Sequence, residues 1–175
     1  MTVIREVVPT DKDGLKAFFQ SLSDETAFRN SYFDSRTAKA NTALGAQMAA
    51  DVLTSEVVKD PIEQRVWLAE EIEIQGLGWL DFSWRPTMKH TCVLGIVVAD
   101  QYQRRGIGTE LMLRMIQEAK QLGMRKIWLR TYAYNQEAIS LYRKFNFEIE
   151  GYFDKQEWKD DGTPLGVISM ALFLK

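Results

Sequence analysis

The chain of 175 residues has one cysteine and one histidine. A single thiol, Cys92, cannot close an internal disulfide, so burial alone must hold the fold, which fits a reducing compartment. His90 has no second ligand at metal spacing beside it, and no metal centre is expected. No run approaches the ~18 apolar residues of a membrane span. Basic charge is not in excess either. The 22 Lys and Arg are outweighed by 24 Asp and Glu, a net charge of -2, which speaks against a nucleic-acid footprint. Met1-Thr2-Val3-Ile4-Arg5-Glu6 has no basic segment leading into an apolar run, so it does not read as a signal peptide. The expectation is a cytoplasmic protein that touches neither membrane nor nucleic acid.

What is present is ordinary globular material. Hydrophobic residues make up 46% and charged residues 26%, enough to build a core without staples. We read residues 1–175 as one α/β domain. Val3 to Val8 reads as a strand. A helix follows over about 11–22, with Leu15, Phe18, Phe19 and Leu22 on one face. Residues 23–35 show no clear period and read as loop, and one or two helices are expected within 36–58. Arg65–Ile72 and Leu77–Trp84 read as strands joined by a turn at Gln75-Gly76. Thr91–Ala99 is apolar on both sides, as in a strand buried on two faces. A helix over 108–122 carries Leu111, Met112, Met115, Ile116, Ala119 and Leu122, and Gly123 suits its C-cap. Lys126–Tyr132 is a strand and Asn135–Phe145 a short helix. Ile149–Trp158 and Val167–Leu174 close the chain as a strand pair.

The segment Asp100-Gln101-Tyr102-Gln103-Arg104-Arg105-Gly106-Ile107-Gly108-Thr109 links the buried strand to the helix at 108. Gly106 and Gly108 allow a tight turn and close approach of a ligand. The helix start offers unpaired N–H groups and the positive end of a dipole, an anion site suited to phosphate. Arg104 and Arg105 add charge beside it. A P-loop would need Lys and Ser or Thr after the last glycine, and Gly108 is followed by Thr109-Glu110. A dinucleotide fingerprint would need a third glycine where Leu111 stands.

The surviving pattern, Gln-x-x-Gly-x-Gly from Gln103 to Gly108, resembles the pyrophosphate loop of the GNAT acetyltransferases (Gcn5-related N-acetyltransferases). A second block, Asn135-Gln136-Glu137-Ala138-Ile139-Ser140-Leu141-Tyr142-Arg143-Lys144-Phe145-Asn146-Phe147, is similar to that family's Asn-x-x-Ala-x-x-Leu-Tyr-x-Lys-x-Gly-Phe helix. The resemblance implies a mixed, mostly antiparallel sheet, splayed at its central parallel strands, with helices on both faces. It implies acetyl-CoA as co-substrate and no metal. Pantetheine would lie against Ile96, Val97 and Val98. The pyrophosphate would rest on Gln103, Arg104, Arg105, Gly106, Ile107, Gly108 and Thr109. Asn135 would contact the pantetheine arm, with Ala138 and Tyr142 facing the cofactor. Tyr142 would serve the leaving thiolate, and an N–H near Val97 or Val98 the oxyanion.

Three positions depart from the family pattern. Cys92 stands where some members carry a Glu base, so the base is open among Glu70, Glu71, Glu73, Asp81, His90 and water. Asn146 replaces a glycine, and Asn tolerates the left-handed conformation. Val167 replaces a carboxylate found in many relatives. Plainer roles also fit: His90 at a strand end, Cys92 and Trp79 in the core, Phe28, Tyr32 and Phe33 either loop or acceptor pocket. The leading expectation is acetyl transfer to the amine of a small molecule or amino acid. A protein N-terminal or lysine acetyltransferase is the rival within enzymes, with a polyamine or aminoglycoside modifier behind it. A non-catalytic acetyl-CoA sensor is the rival outside them. A homodimer is expected.

Overall fold

The computed structural model describes residues 1–30, 42–54, 64–83, 85–159 and 161–175. Seven strands make one sheet: β1 (Val3–Glu6), β2 (Gln64–Glu70), β3 (Ile74–Phe82), β4 (Thr91–Val98), β5 (Lys126–Tyr132), β6 (Glu148–Trp158) and β7 (Pro164–Phe173). Their order across the sheet is β1-β2-β3-β4-β5-β7-β6. Among the described strands only β4 and β5 pair in parallel; each other neighbouring pair is antiparallel. Among the described residues five α-helices accompany it: α1 (Lys12–Gln20), α2 (Asp24–Asn30), α3 (Ala43–Thr54), α4 (Ile107–Gln121) and α5 (Gln136–Lys144).

Two apolar layers sandwich the sheet, and the alternation of β4 shows why. Cys92 and Leu94 join Leu111, Met112 and Met115 of α4 in one core. Val97 and Ala99 join Leu15, Phe18 and Phe19 of α1 and Ala46, Ala49 and Ala50 of α3 in the other. Successive strand residues point to opposite faces, so an unbroken apolar strand needs a helical layer on each side. The stripe read on α4 is buried at Leu111, Met112, Met115 and Ala119, half-buried at Ile116 and exposed at its end, Leu122. Gly123 takes a φ of 71° and Asn146 one of 63°, so Asn does accept the left-handed turn.

Two readings need correction. Residues 23–35 do not begin as loop: Asp24–Asn30 is helical. The signal was a cap rather than a period. The Ser23 hydroxyl accepts from the Thr26 N–H at 3.2 Å, and Asp24 and Glu25 occupy the first turn, where the positive end of the dipole favours acidic residues. The β2–β3 turn lies at Glu71–Glu73, not at Gln75-Gly76, which sit inside β3. Gly76 is needed for close approach. A Cβ there would lie 3.0 Å from the Val97 carbonyl and 3.3 Å from Ile107. In the 36–58 region the described helix is Ala43–Thr54. Tyr32, Phe33, the side chain of Phe28 and Trp84 lie outside the described residues.

Candidate active site

β4 and β5 pair only from Thr91 to Val93 against Lys126 to Trp128. Past that point β4 stays on β3 as far as Val98, while β5 follows β7 to Tyr132. A wedge opens between them. The Ala99 N–H donates to the Gln75 carbonyl at 3.0 Å, which sets the phase of the β3–β4 ladder. An antiparallel ladder alternates its bonded positions. Gly95 and Val97 therefore bond to β3, and Ile96 and Val98 turn their backbone groups into the wedge. The Val98 carbonyl agrees with this phase, accepting from the Gln103 amide at 3.2 Å. Of the two N–H groups considered for an oxyanion, Val98's faces the gap and Val97's belongs to the ladder. An open strand edge of this kind can bind an extended ligand as an added strand.

The loop after β4 ends at the N-terminus of α4. Arg104 has a φ of 61° and Gly106 one of 90°. A Cβ on Gly106 would meet nothing within 4 Å, so the backbone angle, not space, demands glycine there. Gly108 is tight instead: its Cβ would lie 3.3 Å from Leu141. Among the described residues, the N–H groups of Arg104 to Gly108 donate to no backbone acceptor, and the first backbone donors of the helix are Thr109 and Glu110, both to the Gly106 carbonyl. Orphan N–H groups at a helix start, with the dipole behind them, favour an anion by ~0.3–1 kcal/mol from the dipole alone.

Wedge and loop open into one cavity of about 680 Å³. Ile96, Val97, Val98, Gln103, Arg104, Gly106, Gly108 and Thr109 line it from one element pair, and Asn135, Ala138 and Tyr142 from α5. Residues 26–147 match the family model of the Acetyltransferase (GNAT) family.

The chain belongs to the GNAT acetyltransferases. That family uses acetyl-CoA. An L-amino acid N-acetyltransferase, AaaT, of Escherichia coli K12 is 36% identical over 80 residues, covering 45% of this chain and 49% of that protein. The [ribosomal protein bS18]-alanine N-acetyltransferase of the same organism is 36% identical over 83 residues, covering 45% and 56%. The match thus spans about half the length of these curated relatives. An N-acetyltransferase structure from Staphylococcus aureus Mu50 superposes with a TM-score of 0.80 at 24% identity, covering 100% of this chain and 99% of that one. The yncA structure from Salmonella typhimurium, solved with acetyl-CoA, gives 0.78 at 19% identity, covering 99% and 94%. At these identities the structures establish the fold.

Tyr142 is buried beside the cavity, its ring 5.9 Å from that of Phe147. Burial pushes its hydroxyl well above the usual tyrosine value, so it keeps its proton. Asn135 caps α5, its Oδ1 accepting from the Ala138 N–H at 3.3 Å. Two loop residues lie outside the cavity lining. Ile107 is buried against β3 and offers only its backbone. Arg105 lies over the Tyr102 ring at 5.2 Å.

The candidate bases are all elsewhere. Glu70 pairs with Arg5 at 2.6 Å. Glu71 pairs with the N-terminal amine, which holds its carboxyl below the usual range. Glu73 accepts from the Tyr102 hydroxyl and Asp81 from Gln64. His90 is exposed, and none of the five lines the cavity. Cys92 points into the core under α4, and burial, with Asp81 adding repulsion, pushes its thiol up to about 12. Among the described residues, Glu137 is the one carboxylate that lines the cavity. Groups of three or more His, Cys, Asp or Glu able to hold a metal are absent among the described residues, and no helix among them is long and apolar enough to cross a membrane.

Several lining residues escaped the sequence reading: Thr26, Trp79, Tyr102, Arg130 and Lys144. Trp79 faces Gly95 across the β3–β4 ladder, and a Cβ on Gly95 would fall 2.0 Å from its indole. The ring therefore crosses the bare glycine. Thr26 donates to Asp100 at 2.6 Å, and Ser23 donates to the same carboxylate at 2.9 Å from its hydroxyl and 3.0 Å from its N–H. Burial would raise the Asp100 carboxyl, but these bonds hold it below its ordinary value. They tie the start of α2 to the head of the loop before α4.

Proposed function

We propose that this protein is an N-acetyltransferase that moves the acetyl group of acetyl-CoA to the primary amine of a small molecule or amino acid. One observation carries the reading: a single cavity runs from the α4 N-terminus, through the β4–β5 wedge, to Tyr142. The left-handed Gly106 and the N–H groups of Arg104 to Gly108 fit a pyrophosphate, and the open edge at Ile96 and Val98 fits the amides of the pantetheine arm. Acetyl-CoA supplies a thioester activated toward amines. The Val98 N–H can donate to the thioester oxygen as charge grows on it. Tyr142, holding its proton, can donate to the departing sulfur. An alkylamine with a pKa near ~10.4 must lose a proton before it attacks. The five side chains first considered lie outside the cavity, so that proton goes to water or to Glu137, the one carboxylate lining the cavity among the described residues. The curated relatives named for L-amino acids and for a ribosomal-protein alanine support an amine acceptor. A homodimer belongs to the same reading: β6 is an outer strand and exposes Ile149, Tyr152 and Trp158. A monomeric mass in sedimentation would overturn that part.

The test is thiol release from acetyl-CoA against a panel of amines, amino acids and peptides. Acceptor-dependent release supports transfer. Tight acetyl-CoA binding with no release from any acceptor would replace it with a binding module.

A further inference from the structure

The cavity holds a charged side chain on the side of the sheet away from α4. Along β5, Ile127 and Leu129 enter the core with α4, so alternation sends Trp128 and Arg130 to the opposite face. Val93 pairs with Trp128 and Trp79 with Gly95, which makes this the face where the Trp79 indole lies. The Arg130 guanidinium stands 5.1 Å over the Phe153 ring and 5.8 Å from the Trp128 ring, and Arg130 lines the cavity. The other cations that line it among the described residues, Arg104 and Lys144, belong to the phosphate loop and to α5. Arg130 instead stands on β5, across the wedge from β4 and the loop that follows it.

We infer that Arg130 recognises a carboxylate on the acceptor, so that the acceptor is a small amine carrying its own carboxylate, a free amino acid. This rests on the acetyl-transfer reading above and narrows it. Guanidinium stays charged at any physiological pH, and its planar fork matches a carboxylate with two parallel hydrogen bonds. Aromatic faces on the fork restrict its rotamers in advance, so less freedom is lost when the ligand binds. Partial burial strengthens the pairing relative to water. The lining charges also oppose a polycationic amine. Arg104, Arg130 and Lys144 stand against the single carboxylate Glu137 among the described residues, the reverse of the acidic pocket that polyamines or aminoglycosides require.

The experiment uses the CoA-saturated protein and needs no catalysis. Calorimetry compares the twenty common L-amino acids with their carboxamides and with short peptides amidated at the C-terminus. At least one amino acid should bind roughly tenfold tighter than its carboxamide. Arg130→Gln should erase that preference, Arg130→Lys should retain only part of it, and both should bind CoA as the wild type does. Equal binding of acids and carboxamides by the wild type overturns the inference, and this comparison holds even if a variant fails to fold. Preferred binding of amidated peptides overturns it in favour of a protein acceptor. A loss of CoA affinity in Arg130→Gln overturns it by assigning Arg130 to the cofactor. Thiol release separates the two claims. Equal acetylation of acids and carboxamides leaves transfer standing and removes Arg130's role. Selective binding of an acid without any release leaves Arg130's role standing and removes transfer.

Discussion

The two sides of the wedge are made of different material. The side proposed for the cofactor is mostly backbone: the open edge of β4 and the N–H groups from Arg104 to Gly108, shaped by a glycine at a φ of 90°. The side proposed for the acceptor is made of side chains gathered from distant strands, with Trp79 of β3 and Arg130 of β5 lining it and the Phe153 ring of β6 against the Arg130 guanidinium. A backbone site tolerates most sequence changes but no intrusion at its glycines. A side-chain site should yield to single substitutions while its neighbour across the wedge keeps working.

The largest expected effect tests the first half of that contrast. Gly108 already lies within 3.9 Å of Ile96, Val98 and Leu141 from its absent Cβ. An indole there must project into the cavity. Gly108→Trp should abolish CoA binding by calorimetry, a loss of more than ~100-fold, while the apoprotein still melts cooperatively. Unchanged affinity would show that the loop does not hold the cofactor. Next comes Tyr142→Phe. Losing a positioned proton donor should lower kcat by ~10²-fold, with CoA affinity nearly unchanged because the ring still packs on Phe147. An intact kcat would reduce Tyr142 to a core residue.

This contrast also explains what the sequence made legible. The cofactor side is contiguous. Gln103 to Thr109 follow one another along the chain, and Asn135 to Tyr142 lie within two helical turns. The glycine spacing of the loop, and the resemblance of both segments to the family's motifs, therefore picked them out before any fold was known. Trp79 and Arg130 could be read only after the register was fixed, because nothing along the chain says that Trp79 faces Gly95 or that Arg130 emerges beyond the last β4–β5 pair. The strands were legible from alternation, but the β2–β3 turn was misplaced because Gly76 looks like turn chemistry while serving as room for Ile107. Helix α2 was missed because seven residues are too few to show a period, although Ser23 and its acidic followers marked the start.

Trp79→Ala tests the acceptor side with a smaller expected effect. Removing the indole over Gly95 should raise the acceptor KM by about tenfold, or ~1.4 kcal/mol. CoA affinity should stay within a factor of ~2. If both affinities fall together, the two sides are one packed unit and the contrast fails.

The smallest effect on activity is expected at the root of the wedge, where the two sides join. Cys92 pairs with Ile127, one residue before Val93 and Trp128, the last pair shared by β4 and β5, and it is only 1% exposed. Cys92→Ala should leave turnover unchanged near neutral pH, because the side chain reaches neither side of the cavity. Its signature is in stability at alkaline pH. In the unfolded chain the thiol ionises near ~8.5, whereas burial holds the native thiol protonated up to about 12. The native state therefore binds more protons across that interval, and unfolding becomes easier as pH rises. Below ~8.5 both states are protonated and the contribution is fully present; it declines steadily toward the native value. Urea unfolding of wild type and Cys92→Ala, at about pH 7 and again near pH 10, isolates this one group from the lysines and tyrosines that titrate in both proteins. The wild type should lose stability relative to the variant at the higher pH. An equal loss in both would mean that the thiol ionises in place, which requires water to reach the root of the wedge and the two sides to separate there.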